Sequence, residues 1–272
     1  MKKLLLTILA TVVATQAAPA LASAREEARL IEASGVLEEL FAQRDTSIPE
    51  KLMARAHGIA VIPNVVKVAA VVGGRRGSGA MVVRDANGKF SDPIMVSLTG
   101  GNIGWQIGVQ STDIVLVFTT RKSIEGITDG KLTLGGDASV AAGPVGRAAS
   151  AATDQNFTAE VYSYSRNRGL FAGVSIDGSV IAIDTKSNTK LYDKKAPATE
   201  IIAGHVTTDA EAARRFARAI LASTSAAHPA PAPRSAATTT PDTAVSPATE
   251  AAPSGATTFP MEDAAPGTEP PK

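Results

Sequence analysis

Residues 58–83 read GIAVIPNVVKVAAVVGGRRGSGAMVV, and these short β-branched runs separated by glycines decide the fold. Val and Ile favour strands, whereas glycine and proline mark turns and bulges. The same composition continues downstream, because nineteen of the 23 glycines lie between Gly58 and Gly178. The pattern therefore predicts a sheet of short strands joined by tight turns.

Helical patterns flank and interrupt this sheet. An amphipathic repeat predicts a helix over 23–43, a proline start predicts a short helix ending near 57–58, and further helices are expected near 123–129 and over 209–223. Asn87-Gly88 is a strong hairpin signal. The predicted fold class is α+β, with a β-rich, mostly antiparallel central sheet or barrel-like core and helices at the N- and C-terminal ends. Strands are predicted at 59–62, 65–72, 80–83, 94–98, 114–118, 161–164 and 180–183.

Two glycine-rich stretches, residues 73–79 and 100–104, invite comparison with phosphate-binding loops. Neither continues into the Gly-Lys-Ser/Thr of a P-loop, and neither has the dinucleotide-binding spacing in a strand-to-helix turn. Both stretches are therefore predicted to be β-turns and bulges.

The two ends of the chain have compositions unlike the centre. Lys2 and Lys3, an apolar run over 4–13 and Ala20-Leu21-Ala22 predict a signal peptide cut after Ala22. The protein is therefore expected to be periplasmic or secreted, with no transmembrane span after cleavage; a retained single-helix anchor is the alternative. The expected domains are the signal peptide 1–22, a globular domain 23–222 and a disordered Ala/Pro/Thr/Ser-rich tail 223–272, which holds ten of the sixteen prolines.

Composition also argues against several chemistries. The chain has no cysteine, which excludes disulfides and thiol chemistry. A net charge of +1 is too small for a typical nucleic-acid-binding domain. The mature domain offers only His57 and His205 as histidine bases, and its acids show no metal-ligand spacing. We therefore expect no enzyme, cofactor or metal; a hydrolase using one of these histidines is an alternative.

Five segments of the chain form a distinctive series in a fixed order: residues 58–63, 73–79, 97–108, 137–147 and 162–175. This series resembles the SYLF family of lipid-binding domains, over a region of about residues 29–222. The resemblance implies a domain that associates with membrane lipids; eukaryotic members recognise phosphoinositides, and fungal members act with actin. An exported, bacterial-type member would not meet cytoplasmic actin. One departure is Asp193, where glycine is expected in relatives, and it affects only a local turn.

Loop cations supply the predicted binding site. Arginine can bind a phosphate through two hydrogen bonds while neighbouring backbone amides donate to the same group. We therefore expect peripheral binding to anionic phospholipid headgroups, although ordinary solvated charges would give the same pattern. A structural or interaction protein of the envelope, binding a protein partner and no lipid, is the alternative function. The predicted lipid-binding residues are Arg75, Arg76, Arg147, Arg166 and Arg168.

The N-terminal helix is a second candidate for membrane contact, because the resemblance implies such a role for the segment within 24–45. Acidic residues outnumber basic ones six to three in this segment. A helix that adsorbs to anionic lipid normally has the opposite balance. The predicted role of this helix is therefore core packing.

Overall fold

The computed structural model describes residues 23–42, 48–69, 72–103, 108–145, 158–167 and 170–225. The predicted signal peptide, Arg147, Arg168 and residues 226–272 of the predicted tail lie outside this part of the chain. No helix in the described ranges is long and apolar enough to cross a membrane.

A curled half-barrel sheet forms the centre of the fold, which confirms the α+β prediction. Its strands follow the order β5-β9-β3-β2-β1-β4-β7-β6, and β8 pairs with β7. Of the pairings between these strands in the described residues, only that of β6 with β7 is parallel. The strands are β1 Gly58–Ala69, β2 Val72–Val83, β3 Ile94–Ile103, β4 Gly108–Phe118, β5 Lys131–Thr133, β6 Val140–Ala142, β7 Val161–Asn167, β8 Leu170–Gly173 and β9 Ser179–Ile183.

Helices stand at both ends of the described chain, as predicted, and two more lie between β9 and the last helix. Side-chain caps fix two of the starts: Thr120 accepts from the backbone N–H of Ser123, and Asp184 accepts from that of Ser187. The helices are α1 over 23–42, α2 Glu50–Ala54, α3 Arg121–Thr128, α4 Thr185–Tyr192, α5 Ala198–Ile202 and α6 Glu211–Ser225. The helices α4 and α5 were not predicted.

The glycine-rich stretches are strands, so the prediction of β-turns there is wrong. Strand β2 runs unbroken through residues 73–79, and β3 continues through 100–103. The bulge lies instead in β1, whose register against β2 shifts between Val61 and Val66, opposite Gly77 and Gly79. Glycines are needed there for close packing against the bulged strand.

The core lies between α1, the C-terminal helices and the sheet. Leu30, Leu37 and Leu40 of α1 are completely buried, which confirms the predicted packing role of this helix. The helix α4 is fixed to β3 because the Asn188 side chain accepts a 2.7 Å hydrogen bond from the backbone N–H of Met95.

Asp193 ends α4 in the left-handed conformation, with φ 49° and ψ 28°. Glycine is the usual residue at such a helix end, and Asn or Asp tolerates it better than other side chains. Asp193 therefore adopts the left-handed helix end that glycine would favour, although the residue itself differs from the expected glycine.

Candidate functional site at the distal end of the sheet

The distal end of the sheet comprises residues 65–69, 72–78, 99–103 and 108–112, beyond a bulge in β1 at Pro63 and Asn64. Before the bulge, residues 59–62 are completely buried, so both faces of the sheet are covered. Beyond it, Val66 is 42% exposed and Val68 is 50% exposed. The distal end therefore presents apolar side chains to solvent.

Strand pairing brings these valines together with one arginine. Val68 lies opposite Val109, which is 75% exposed, and Val66 lies opposite Arg76. Residues directly opposite each other in neighbouring strands share a face of the sheet. We call the surface formed by Val66, Val68, Val109 and Arg76 the valine face. Arg76 is exposed and has no ion-pair partner within the described residues.

Arg75 lies on the other side of the same strand, because consecutive residues of a strand point to opposite faces. It is half-buried and, with Lys67 and Gln110, lines a cavity of about 210 Å³ that residues 174–176 also border. Burial lowers the pKa of the Arg75 guanidinium, and the charge of Asp177 partly opposes this change. The two neighbouring arginines therefore serve separate surfaces.

Arg166 forms ion pairs with two carboxylates of the protein itself. Its Nε donates a 2.6 Å hydrogen bond to Asp113 of β4, and its Nη1 donates to Glu39 of α1. The guanidinium also lies over the ring of Phe171, 6.0 Å from its centroid. Burial alone would lower the pKa of Arg166, but the hydrogen bonds and charges of the two carboxylates raise it above its ordinary value.

Of the five predicted arginines, the structure therefore places two at the distal end and one against α1, and two lie outside the described residues. The sequence analysis missed the exposed valines. The signal available was the alternation Val66-Lys67-Val68 after Pro63, which is typical of a strand with one solvated face.

The fold and the valine face together define a class of protein, a small α+β binding module. Within the described ranges, no group of three His, Asp or Glu side chains is arranged to hold a metal ion.

Comparison with known proteins identifies the family. Residues 99–223 match the model of the family Ysc84, described as "Las17-binding protein actin regulator". The chain belongs to this family, which is also called the SYLF domain family.

Relatives in fungi and animals support this assignment. LAS seventeen-binding protein 3 of Saccharomyces cerevisiae is 36% identical over 189 residues, which is 68% of this chain and 41% of that protein. SH3 domain-containing YSC84-like protein 1 of Homo sapiens is 36% identical over 169 residues, 62% of this chain and 49% of that protein. The chain thus spans less than half the length of these relatives.

Proposed function

We propose that this domain docks peripherally on membranes rich in anionic phospholipid, with the valine face against the bilayer. The exposed valines enter the interfacial region, and Arg76 contacts headgroup phosphates. Arg75 stays a predicted contact, although its side chain lies on the opposite face of β2 and lines the cavity there. Arg147, Arg166 and Arg168 stay predicted contacts, although the described partners of Arg166 are carboxylates of the protein itself.

The observation that carries this proposal is the exposure of three clustered valines beside Arg76, which has no ion-pair partner among the residues that the structure describes. Contiguous exposed apolar patches mark interaction sites, because they would otherwise remain hydrated at a cost in free energy. Basic residues near an anionic leaflet each contribute about 1 kcal/mol to adsorption. An apolar patch with a cation on the same face therefore suits a charged membrane surface.

Charge reversal of Arg76 is expected to weaken binding to anionic vesicles by about tenfold or more, since Arg76→Glu removes one attraction and adds one repulsion. The measurement is co-sedimentation of the full chain with vesicles of neutral or anionic phospholipid, at low and physiological salt. Wild-type binding should be selective for anionic vesicles and should weaken with salt, because the Debye length falls to about 8 Å at 0.15 M.

Lys122→Glu is the matched control, because it makes the same change of charge on an exposed residue of α3. The helix α3 follows the opposite end of β4, roughly 33 Å from the valine face at about 3.3 Å per residue. Equal binding by the Arg76→Glu and wild-type proteins would show that the valine face is not the lipid contact.

We also propose that the protein acts outside the cytoplasm, as the predicted signal peptide indicates. Mass spectrometry of the exported protein should find Ser23 as the first residue. Retention of residues 1–22, or recovery only from the cytoplasm, would contradict this proposal.

Protein binding is the second candidate function. The description of the matched family and the name of the yeast relative favour it, since both refer to binding of a protein. Failure of the wild-type chain to bind either kind of vesicle would support this candidate over the lipid proposal.

A further inference from the structure

The opposite, proximal end of the sheet gathers basic side chains from three neighbouring strands. His57 immediately precedes β1, Arg84 follows β2, and Arg121 begins the helix after β4. The backbone N–H of His57 donates to the carbonyl of Phe118, and that of Arg84 donates to the carbonyl of His57, both at 2.8 Å. The ends of the three strands are thus fixed side by side by main-chain hydrogen bonds.

Two adjoining cavities open at this end, with volumes of about 260 Å³ and 420 Å³. Both are lined by His57, Arg84 and Arg121, so the basic groups stand where the cavities meet. The larger cavity is the more polar and adds Arg55 and Asp85. The smaller one is mainly apolar, and its apolar lining consists of Val83, Ile124, Ile202 and Ala203.

Acidic groups only partly balance these charges. Glu125 borders the smaller cavity and Asp85 borders the larger one. Asp85 already accepts hydrogen bonds from the backbone N–H groups of Asn87 and Lys89 in its own turn. Three arginines and two carboxylates line the two cavities, so the pocket has an excess of positive charge.

Two buried nitrogen atoms at this end have no hydrogen-bond partner in the described part of the chain, Nδ1 of His57 and Nε of Arg84. Most buried polar atoms in folded proteins are hydrogen-bonded, so unpaired ones require an explanation. The side chain of Arg84 is also held in place: its Nη1 donates to the carbonyl of Ala54, and its guanidinium lies 4.6 Å from the centroid of the Phe90 ring. Burial lowers the pKa of Arg84, but arginine stays protonated at neutral pH.

We propose that this proximal pocket binds a single-chain anionic amphiphile, with the acyl chain in the apolar cavity and the carboxylate or phosphate head at Arg84 and Arg121. A small inorganic anion would leave the apolar cavity unused, and a neutral lipid would leave the cations unpaired. The combined site approaches the usual size of small-molecule pockets, about 300–1,000 Å³. The proposal is independent of the valine face, which lies at the other end of the sheet.

Calorimetric titration of the full chain tests the ligand class. The probes are decanoate and decyl phosphate, each compared with its chainless counterpart, acetate or inorganic phosphate. We expect at least one long-chain probe to bind more than tenfold more tightly than its counterpart, because only the long-chain probe buries an acyl chain in the apolar cavity. Equal affinities within both pairs, or no binding of either long-chain probe, would overturn the proposal.

Substitutions at two exposed positions test where the ligand binds without disturbing the core. Arg121→Gln should weaken binding of the long-chain probe about tenfold by removing a charge-assisted hydrogen bond, whereas Lys122→Gln on the same helix should have no effect. Ala203→Trp should obstruct the apolar cavity, with Ala222→Trp on the exposed side of α6 as its control. Wild-type affinity in both the Arg121→Gln and Ala203→Trp proteins would place the ligand elsewhere and overturn the assignment.

Discussion

Gly79→Ala is expected to destabilise the protein by at least about 3 kcal/mol, which is at the upper end for overpacking of a core. A Cβ atom at this position would lie 2.1 Å from the carbonyl oxygen of Val61 and 2.6 Å from Cα of Ile62. Both contacts are with backbone atoms of the central strand β1, in the segment 59–62 that is buried on both faces. The two strands must separate or the bulge must be lost.

The matched control is Gly101→Ala in the neighbouring strand β3. A Cβ atom there would meet nothing within 4 Å, and the residue is exposed. We expect this change to alter stability by less than about 1 kcal/mol, because alanine only restricts the unfolded chain at such a site. Urea unfolding followed by circular dichroism measures both free energies of unfolding. Similar losses in the two variants would show that close packing is not the reason for glycine at position 79.

The sequence was sufficient to predict the fold class but not the role of its glycines. Glycine in a turn and glycine beneath a neighbouring strand have the same local signature. Gly77 and Gly79 are needed because the bulge in β1 packs closely against them. The register that places the bulge opposite these glycines is set by pairing along the whole hairpin. The short strands β5, β6 and β8 were missed because three or four residues carry too little periodicity.

The candidate site was predicted only in part, for a related reason. Valine is a typical core residue, so the sequence alone does not reveal that Val66 and Val68 are exposed. Arg166 stands near Gly169 and therefore resembles a loop cation. Its partners Asp113 and Glu39 are 53 and 127 residues away in sequence, so no local pattern reveals the pairing.

Arg166→Met is the second substitution expected to have a large effect, with a loss of about 2–4 kcal/mol, because it leaves a nearly buried carboxylate without its cation. The side chain of Asp113 is 10% exposed and that of Arg166 is 20% exposed. Asp113 also accepts a 2.9 Å hydrogen bond from the backbone N–H of Asn64, which has a φ of 51° in the bulge. Loss of the arginine therefore disturbs the contact of α1 with β4 and β7 as well as the geometry of the bulge.

A double-mutant cycle with Asp113→Asn separates the ion pair from ordinary packing. Asparagine retains a side-chain oxygen for the N–H of Asn64 and removes the charge. In the double variant no buried charge is left unpaired, because Glu39, the other partner of Arg166, is exposed. The combined loss should therefore be smaller than the sum of the single losses by at least about 1 kcal/mol. The free energies of unfolding of the wild-type, single-variant and double-variant proteins are measured by urea unfolding of the full chain.

The exposed ion pair between Arg215 of α6 and Glu38 of α1 is the control that shows whether burial explains the large effect expected at Arg166. Arg215 also donates two hydrogen bonds, of 3.3 and 3.0 Å, but both go to the single carboxylate of Glu38, and both side chains are largely solvated. Solvated ion pairs contribute little to stability, so Arg215→Met should leave the unfolding midpoint almost unchanged. If Arg166→Met were equally harmless, or if the cycle gave additive losses, Asp113 and Arg166 would not act as a coupled pair. Arg166 would then be free to serve the lipid contact that its sequence context predicts.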